Sequence, residues 1–492
     1  MTDRRDVALT SVVAAGAFGV YVATLPPSFG VWDNAEMQTV TAILGIAHPP
    51  GCPAMVLIGY AFVHAFPFGE PAWRLGVMCS LSVAASAALL YVIARRFEIG
   101  RVTAAVCALG FAFALVPWHS ATHPEIQDLA LLFRLCALYF ALRWFDRGDV
   151  PALFATSLAA GLALATHGIA VLLLPVLALL IAARPEWKSP ASLGAIAAGF
   201  AAGLLPYVYV PFRSAYVDAH HLDPTVAIGI APGLPFWDYD DPSTLGNFVH
   251  FVTGADFHVA GGFAGFFDLL RYPHFVQRLG GQVAHAYGWL GTVLALGGCY
   301  LLIASRKLDR IAIVLAALLP VPYTESYSDL QESERYYMLA FWCAAIAIGI
   351  GFERLTQVFE LRMHSVGRYA AATALALSFT TAAPERAQII DQRHDTFGPD
   401  FTAQVRSFTE DDAILLVEWG YATPLAYASY VDGSFGHRTV VPAGATQYLA
   451  YLPAWVAHHP VYVVGFDSNL QIPGWKVSRV SVGSYYAYRV TR

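Results

Sequence analysis

The sequence has few charged residues. Asp, Glu, Lys and Arg make up 13% of its 492 residues, whereas hydrophobic residues make up 57%. A soluble globular protein carries about 25% charged residues, so this composition excludes that class. With a mean hydropathy of +0.53, the chain is predicted to be a polytopic membrane protein. Its net charge of -6 is small and acidic, which excludes nucleic-acid binding as the main function.

Lysine is scarce and cysteine is unpaired in this sequence. Arg supplies most of the positive charge, a bias that base composition explains better than function does. The six Cys residues include no Cys-x-x-Cys pair, and most of them lie within apolar runs, so neither a disulfide framework nor a zinc site is expected. No internal repeat is evident, which argues against a transporter because many transporters are built from repeats.

Eleven apolar stretches are long enough to predict transmembrane helices, each of which needs about 20 residues. The first begins at Val7, and no small-residue cleavage site follows it cleanly before Pro26, so it is predicted to be an uncleaved helix. A twelfth apolar run, at 52–66, is short and bounded by prolines, which predicts an interfacial helix rather than a span. The eleven stretches cover approximately residues 7–26, 75–94, 102–118, 127–145, 151–167, 168–184, 190–212, 284–305, 310–323, 336–353 and 367–384.

The distribution of basic residues supports this assignment. The loops that fall on the opposite side, at 33–50 and 118–126, contain no Lys or Arg. The positive-inside rule then predicts a cytoplasmic N-terminus and an extracytoplasmic C-terminus in a multi-pass protein of the cytoplasmic (inner) membrane. Counting 52–66 as a span would scatter the basic residues over both sides. The short basic loops of the cytoplasmic side lie at residues 4–5, 95–101, 143–147, 184–188, 306–310 and 354–368.

This topology divides the chain into a membrane domain, residues 1–384, and a C-terminal tail, residues 385–492. The membrane domain has a first outer loop at 27–74, which includes the interfacial helix, and a long outer loop at 213–283. The tail is predicted to be a small extracytoplasmic α/β domain. Its strand-like runs are residues 413–417, 461–464 and 485–488, and its candidate helix is 424–431.

The first outer loop carries two acids, Asp33 and Glu36, followed by a His-Pro-Pro-Gly motif that begins at His48. If the chain is helical at Asp33, the two carboxylates share a face and their repulsion raises one pKa. A carboxylate with a raised pKa suits a general base that acts on an acceptor hydroxyl. The alternative is a solvated first helical turn with Asp33 as its cap. The prolines hold His48 in one position, which fits a structural or a functional role.

A second polar segment lies between two predicted spans. His119 and His123 are four residues apart, and Glu125 and Asp128 follow, a set that is compatible with a metal site. Pro124 interrupts the helix that would align them. An acid at Glu125 that orients the acceptor is therefore the favoured interpretation.

Three further polar residues lie within or at the ends of predicted spans. His167 lies at the outer junction of two of them and is predicted to face the same cavity. Arg134 lies about two turns into its span, where a charged side chain faces the bundle interior with a partner. Asp128 and Glu125 are its candidate partners.

Two arginines with neighbouring tyrosines lie at outer helix ends. Arg213 follows one span, and Arg335, followed by Tyr336, precedes another. Both could anchor the chain in the aromatic belt of the interface. A guanidinium is equally suited to bind the phosphate of a lipid headgroup with two hydrogen bonds. On chemistry alone, the acidic segment 237–245 is predicted to be a surface loop.

The order of these motifs resembles one family. The opening signature runs from Asp33-x-x-Glu36 through Gly45-x-x-His48-Pro-Pro-Gly to Trp73-Arg74. It is similar to that of the transmembrane protein O-mannosyltransferase-like family, whose bacterial members were long known only as a domain of unknown function. That family belongs to the GT-C superfamily of glycosyltransferases, which use polyprenyl-phosphate sugars.

Further matches extend the resemblance over most of residues 30–350. In the tail only Glu418-Trp419-Gly420 and Thr423-Pro424-Leu425 match, and loosely. Departures from the family pattern are Asn34, Ala35, Cys52 and Leu339, none of which removes a chemical group from the Asp33, Glu36 and His48 set. The further matching positions are Trp118 with Glu125, His167, the Leu-Pro-Tyr run from Leu205 to Arg213, Trp237 with Asp241-Pro242-x-Thr244, and Glu334-Arg335-Tyr336-Tyr337.

The resemblance implies a GT-C-like bundle of about 11 transmembrane helices that transfers a sugar, with mannose as the candidate, from a polyprenyl-phosphate donor. Asp33 would deprotonate the acceptor hydroxyl, with inversion at the sugar. The implied catalytic set is Asp33, Glu36 and Glu125. The implied set for the donor phosphate is His48, Arg213, Arg335 and Tyr336. The implied cavity residues are His123, His167 and Asp241.

No metal or other cofactor is required by this scheme. The expected partners are the lipid-linked donor, a protein or glycan acceptor and membrane lipid, without nucleic acid. Two alternatives remain: a transporter or lipid flippase with an outer-facing polar cavity, and a scaffold that presents the tail. A transporter predicts polar residues near mid-membrane on several spans, whereas here they concentrate at the outer end, apart from Arg134.

Overall fold

The computed structural model shows a bundle of helices followed by a small α/β domain. It describes residues 3–234, 237–255, 272–326, 333–360, 366–380, 383–444, 446–480 and 485–492. The first half of the chain forms α1 (Arg4–Ala23), α2 (Trp32–Ile43), α3 (Pro53–Ala65), α4 (Pro71–Arg96), α5 (Arg101–Ala112), α6 (Leu115–Thr122), α7 (Ile126–Arg147), α8 (Val150–Thr166), α9 (Leu174–Ala182), α10 (Pro190–Leu204), α11 (Pro206–Ala219), α12 (Pro224–Ala227) and α13 (Leu245–Thr253).

The second half contains the remaining bundle helices and the helices of the tail. The helices before the tail sheet are Tyr272–Ala304, Leu308–Leu318, Val321–Ser326, Met338–Glu360, Val366–Thr380, Ala383–Ile390 and Phe397–Phe408. The helices between strands of the tail are Trp419–Tyr430 and Leu452–His458. Short 3-10 helices form at Gly168–Leu173, Pro185–Lys188 and Ser333–Tyr337.

The chain is a multi-pass membrane protein. Among the described residues, five helices are long and apolar enough to cross a membrane, or six if α5 and α6, bent by 59°, count as one span. Several predicted spans are divided: 190–212 corresponds to α10 and the first half of α11, and 284–305 contains a break at Gly288 with φ 69°. Proline and glycine interrupt helices that hydropathy reads as continuous. The number of eleven spans stays a prediction.

The first and fourth helices are antiparallel neighbours. Asp6, near the start of α1, accepts a hydrogen bond from Tyr91 near the end of α4 at 2.8 Å. At the other end, Leu25 packs against Gly76, where an added Cβ would lie 3.0 Å from the leucine side chain. The segment between them, which contains α2 and α3, therefore leaves and re-enters the bundle at the same end. Each of these two helices is about 20 Å long, too short for a 30 Å hydrocarbon core.

The opposite end of the bundle is joined by ion pairs. Arg101 contacts Asp6 at 2.9 Å, and Arg96 contacts Asp146 at 2.6 Å and Asp309 at 3.0 Å. These residues come from four different connections or helix ends. They all belong to the set that the charge distribution assigns to one side, so the bundle has a charged end and an end that carries the acid and histidine motifs. Which end faces the cytoplasm stays a prediction.

Close approach of two backbones fixes the α8–α10 contact. A Cβ added at Gly199 would lie 2.5 Å from the carbonyl oxygen of Phe154, and one added at Gly203 would lie 2.5 Å from that of Leu158. Small residues spaced four apart let helices pack tightly in membranes, where no hydrophobic effect drives them together. This contact holds the part of the bundle that leads to α11.

The tail contains a five-stranded mixed sheet in the order β2-β1-β3-β5-β4. The strands are β1 (Ile414–Val417), β2 (Thr439–Pro442), β3 (Val461–Gly465), β4 (Lys476–Arg479) and β5 (Tyr486–Thr491). β1 is parallel to both β2 and β3, and β5 is antiparallel to β3 and β4. An α/β fold in the tail is what the sequence predicts. The predicted strands correspond to β1, β3 and β5, whereas β2 and the exposed edge strand β4 lack a long apolar run.

Candidate active site

The first acidic motif lies on one face of α2. Pro26 and Pro27 prevent α1 from continuing, and α2 begins afresh with Val31 as its N-cap residue and no side-chain cap. Asp33 is therefore not the cap. The side chain of Glu36 is fully buried, and that of Asp33 is 29% exposed. The alternative of a solvated helical turn is therefore wrong.

Glu36 binds His48 with both oxygens. Its Oε1 accepts the backbone N–H of His48 at 2.7 Å, and its Oε2 lies 2.5 Å from the ring Nδ1. Burial raises the pKa of Glu36. Burial would lower the pKa of His48, but the charges of Glu36 and Asp33 outweigh it and raise that pKa to about 9. The imidazole is therefore cationic at neutral pH, and Glu36 serves as its counter-ion.

Arg335 joins two acids that are far apart in sequence. Its Nη2 lies 3.2 Å from Asp33 Oδ2, and its Nη1 lies 2.5 Å from Glu125 Oε1. Burial would raise the pKa of Asp33, but the charges of His48 and Arg335 outweigh it and lower that pKa. The sequence predicts repulsion within the Asp33–Glu36 pair to raise one pKa. The structure gives the raised value to Glu36 and leaves Asp33 ionised.

A residue from the tail completes the environment of Asp33. The indole Nε1–H of Trp419 donates to Asp33 Oδ1 at 3.2 Å, and its ring meets that of His48 edge-on at 6.1 Å. Gly420 lets the tail helix approach α2, because a Cβ there would lie 2.6 Å from the ring of Trp32. The sequence assigns Trp419 no role, although it stands in one of the few matching segments of the tail.

Tyr336, predicted to hold the donor phosphate, packs beside Arg335, and His167, predicted to face the cavity, packs against Tyr336, but neither is among the residues that line the cavity. The guanidinium of Arg335 lies 5.8 Å from the ring centre of Tyr336, which in turn lies 5.7 Å from that of His167. The Nδ1 of His167 accepts the backbone N–H of Ile169 at 3.1 Å, which starts the following 3-10 helix. That hydrogen bond fixes the orientation of the imidazole.

A cavity of about 490 Å³ opens beside Arg335. Of the residues predicted from sequence, Glu125 and Arg335 line it. Arg278 and His285 also line it, and the sequence analysis missed both because no motif marks them. The cavity is lined by Leu115, Val116, His119, Ser120, Glu125, Arg278, Gly281, Gln282, His285, Glu334, Arg335 and Ile389.

The paired histidines of the second polar segment do not form a metal site with the acids that follow. Their rings stack at 3.9 Å, and the Nδ1 of His123 hydrogen-bonds to the carbonyl of His119 at 2.9 Å. It is His119, rather than the predicted His123, that lines the cavity. α6 ends at Thr122, and Pro124 separates the histidines from α7, so Glu125 lies at the N-terminus of α7 and contacts Arg335.

Arg134 does not pair with an acid, contrary to expectation. Its Nε donates to the carbonyl of Ala130 at 3.2 Å, and its Nη2 lies 3.5 Å from Gln127 Oε1. Asp128 instead accepts the hydroxyl of Ser120 at 2.6 Å. Local groups thus contact both side chains without a cross-bundle ion pair, and Arg134 Nη1 and Asp128 Oδ2 stay without a hydrogen-bond partner among the described residues.

Two other predicted residues lie away from Arg335. Arg213 donates to the carbonyl of Ile43 at 3.2 Å and lies over the ring of Tyr216. Asp241 accepts the hydroxyl of Ser214 at 3.1 Å and is not among the residues that line the cavity. Both flank the segment between α2 and His48 rather than Asp33 itself. The structure therefore does not bring Arg213 to the phosphate side or Asp241 into the cavity.

The charges of the Asp33 cluster are balanced within the protein. Asp33, Glu36 and His48 place one potential ligand atom each within 4.8 Å of one another, which is close enough for a metal ion. The cluster already contains two cations, protonated His48 and Arg335. A metal ion would have to displace them from their carboxylates, so these residues fit a metal poorly.

Comparison with known proteins supports the family resemblance. The family model of the protein O-mannosyl-transferase TMEM260 N-terminal domain matches residues 33–190. The mouse (Mus musculus) protein O-mannosyl-transferase TMEM260 is 24% identical over 486 residues, which cover 93% of this chain and 65% of that protein. A Dictyostelium discoideum protein O-mannosyl-transferase tmem260 is 26% identical over 130 residues, covering 26% of this chain and 16% of that protein. The chain thus spans less than two thirds of each relative.

Solved structures of ArnT from Cupriavidus metallidurans share the fold. The apo structure superposes with a TM-score of 0.55 at 14% identity and covers 98% of both chains. The structure bound to undecaprenyl phosphate gives a TM-score of 0.54 at 14% identity and covers 98% of this chain and 97% of that one. Together, the comparisons confirm the resemblance to the O-mannosyltransferase-like family and the GT-C type of helical fold.

Proposed function

We propose that this chain is a membrane glycosyltransferase that transfers a sugar from a polyprenyl-phosphate donor to an acceptor hydroxyl. The observation that carries the proposal is the pairing of Arg335 with both Asp33 and Glu125 at the edge of the cavity. A base and a phosphate-binding cation are the two groups that such a transfer needs. Mannose as the sugar and the extracytoplasmic face as the location rest on the named relatives and on the charge distribution.

The cavity suits the phosphate of the donor. Arg278, Arg335, His119 and His285 line it together with apolar side chains. Guanidinium groups bind phosphate oxygens with paired hydrogen bonds. The related fold of ArnT holds undecaprenyl phosphate in one of its crystal structures, and a polyprenyl-phosphate sugar is the corresponding donor class here.

In the transfer step, Asp33 accepts the proton of the acceptor hydroxyl while the acceptor oxygen attacks the anomeric carbon. The new C–O bond forms as the bond from that carbon to the phosphate oxygen breaks. The lipid phosphate leaves with the electron pair, and Arg335 stabilises its charge. A single displacement from the opposite face inverts the anomeric configuration.

Donor binding also prepares the base. The phosphate competes with Asp33 for Arg335, and partial loss of that contact raises the pKa of Asp33 toward the range where a general base is effective. Glu36 positions His48, and Trp419 holds the other oxygen of Asp33. Glu125 remains to orient the acceptor or Arg335.

The test is transfer from a polyprenyl-phosphate mannose to a Ser/Thr peptide by the purified full chain in lipid nanodiscs. Asp33→Asn should lower the transfer rate by about 10²- to 10⁴-fold, the usual contribution of a general base. Asp412→Asn, which changes an exposed acid of the tail, should keep full activity. Full activity in Asp33→Asn would refute the assignment of the base.

The same assay separates the enzyme from a transporter. A flippase would move the labelled donor between leaflets without cleaving it. Appearance of mannosylated peptide and free polyprenyl phosphate in equal amounts supports the enzyme. Movement of intact donor without either product would refute it.

A further inference from the structure

A second group of acids lies outside the active site. Asp218 is near the end of α11, and Asp238 and Asp241 lie in the connection between α12 and α13. One carboxylate oxygen from each lies within 4.8 Å of the other two. Three carboxylates this close repel one another unless a positive charge or protons separate them.

Asp238 is the unusual member of this group. Its residue is 0% exposed, and neither of its carboxylate oxygens has a partner in good hydrogen-bond geometry among the described residues, although the Ser214 hydroxyl lies close enough to lower its pKa. Buried polar groups in folded proteins almost always have a partner, and an unpaired buried charge is strongly destabilising. The side chain therefore points to a partner that the polypeptide does not supply.

Protein cations do not balance this group. Within the described parts of the chain, none of the three carboxylates forms an ion pair with Lys, Arg or His. Arg213, one residue before Ser214, donates to the carbonyl of Ile43 instead. Asp223, another buried acid nearby, uses its Oδ1 to accept both the backbone N–H and the hydroxyl of Thr225.

The potential metal ligands that Asp218, Asp238 and Asp241 offer are all carboxylate oxygens. The hydroxyl groups of Ser214 and Ser243 both donate to Asp241 Oδ1, at 3.1 and 2.6 Å. Both bonds use the same oxygen of Asp241. Asp218 is reached by solvent, which leaves a route to the group from solvent.

We propose that Asp218, Asp238 and Asp241 bind a hard divalent cation of the Ca²⁺ class. Ca²⁺ takes six to eight oxygen ligands, including carboxylates and water, in flexible geometry. Zinc and copper favour nitrogen or sulfur ligands, which the group does not contain. The site is separate from the Asp33 cluster, whose carboxylates already have cationic partners.

The bound cation would help to position the active site without contacting it. The backbone carbonyl of Trp237, next to Asp238, accepts the N–H of Ile46 at 2.9 Å. The Trp237 side chain, which carries the indole, packs on Gly45, where an added Cβ would lie 2.9 Å from the Trp237 Cβ. The same indole lies 4.0 Å from the ring of Tyr430 in the tail helix. The cation would thus connect α11 to the segment before His48 and to the tail, without touching substrate.

The test is Ca²⁺ binding to the full chain in nanodiscs after removal of metal with a chelator. The wild type should bind one Ca²⁺ per chain by equilibrium dialysis with radioactive calcium, and its thermal midpoint should rise by several degrees. Asp238→Asn should lose both effects. Asp412→Asn, with an exposed acid changed in the tail, and Asp33→Asn should keep both effects.

Asp218→Asn is the second variant, because solvent reaches Asp218 and its substitution should not impair folding. It should weaken Ca²⁺ binding at least tenfold. The proposal is wrong if the wild type binds no Ca²⁺, if Asp238→Asn and Asp218→Asn bind it as tightly as the wild type, or if Asp33→Asn abolishes binding. Because Asp33→Asn tests the two sites separately, failure of the cation site leaves the proposed transfer reaction standing.

Discussion

Two groups of acids flank the segment that leads from α2 to His48, and they differ in their counter-charges. Asp33 contacts Arg335 and lies beside protonated His48. Asp238, with Asp241 close by, has no cationic partner among the described residues. The first group is balanced by the protein itself, whereas the second can be balanced by protons or by a bound cation.

The difference appears in the pKa of two residues of the same type. Both are desolvated, but nearby positive charges lower the pKa of Asp33, whereas burial and then the neighbouring acids raise that of Asp238 to about 7. A pair of acids is therefore not in itself a catalytic signal. Its counter-charges decide whether it can accept a proton from a substrate or hold a cation.

The largest effect is expected from removing the cation that balances the first group. Arg335→Gln leaves Asp33 and Glu125 without their shared partner and removes the group that binds the leaving phosphate. Transfer should fall by about 10³-fold, the upper range for loss of one electrostatic donor. The measurement is transfer to peptide under single-turnover conditions, and Arg335→Lys should recover part of the rate.

The matched control for Arg335→Gln is an arginine in an exposed pair. Arg393 contacts Asp391 at 2.7 Å, and its side chain is 54% exposed. Exposed pairs contribute roughly 0 to 1 kcal/mol, so Arg393→Gln should leave the rate and the thermal midpoint nearly unchanged. An equal loss in both variants would mean that Arg335 acts only through general stability.

The second prediction concerns pH. Because the folded pKa of His48 is about 9 and that of a free histidine is about 6.5, the Glu36–His48 pair gives its full stabilisation below pH 6.5. Its contribution to stability is lost as the pH rises through 9. Transfer should therefore decline above pH 9 in the wild type. His48→Gln should lower kcat/KM by about 10- to 100-fold and lack that decline.

His459→Gln is the control for the pH profile. The ring of His459 is 39% exposed and lies 3.9 Å from Asp412, so it forms a weak pair outside the site. This variant should keep the alkaline decline at the same pH. A decline that persists in His48→Gln would assign it to another group.

A smaller effect is expected from the contact with the tail. Trp419→Phe removes the hydrogen bond to Asp33, which helps to lower the pKa of that acid. A carboxylate with a lowered pKa is active above that pKa and loses activity as the pH falls through it. The acid limb of kcat/KM should move to higher pH by less than about one unit, with little change at pH 7, since the bond is worth about 1 kcal/mol at this partly exposed acid. Trp475→Phe in the same domain should leave the limb unmoved.

The last prediction concerns folding stability without metal rather than the transfer rate. In the folded state, Asp238 is expected to be protonated below its pKa of about 7. In the unfolded state, it is ionised above about pH 3.9. Stability of the chelated wild type relative to Asp238→Asn should therefore fall between pH 4 and 7, by at most about 1.4 kcal/mol per pH unit. The thermal midpoints of the two proteins measure this difference in stability, and Ca²⁺ should make the wild type the more stable of the two. A difference in stability that does not change with pH would mean that burial does not raise the pKa of Asp238.

Much of the active site could be predicted from sequence because its main residues lie in short motifs. The spacing of Asp33 and Glu36, and the motifs at Glu125 and Arg335, identify groups that the structure brings together. Trp419 and Arg278 could not be predicted in the same way. They reach the site through the packing of remote helices, which local pattern does not encode.

A match to a family motif does not by itself establish the role of a residue. Arg213 and Asp241 stand in motifs of the family, but the fold directs both to the segment behind His48. The fold class and the tail strands with long apolar runs are predictable, since burial produces those patterns. Breaks in the bundle helices, such as that at Gly288, depend on backbone dihedral angles, which a hydropathy average over many residues does not report.

The contact between Trp419 and Asp33 has a consequence for biogenesis. The two residues are 386 positions apart, so Asp33 enters the membrane long before its last neighbour is synthesised. At 5 to 20 residues per second, the delay is about 20 to 80 s. Nascent chains therefore expose an unfinished acidic cleft to water, and chains that stop before residue 419 should insert stably yet never acquire the complete site.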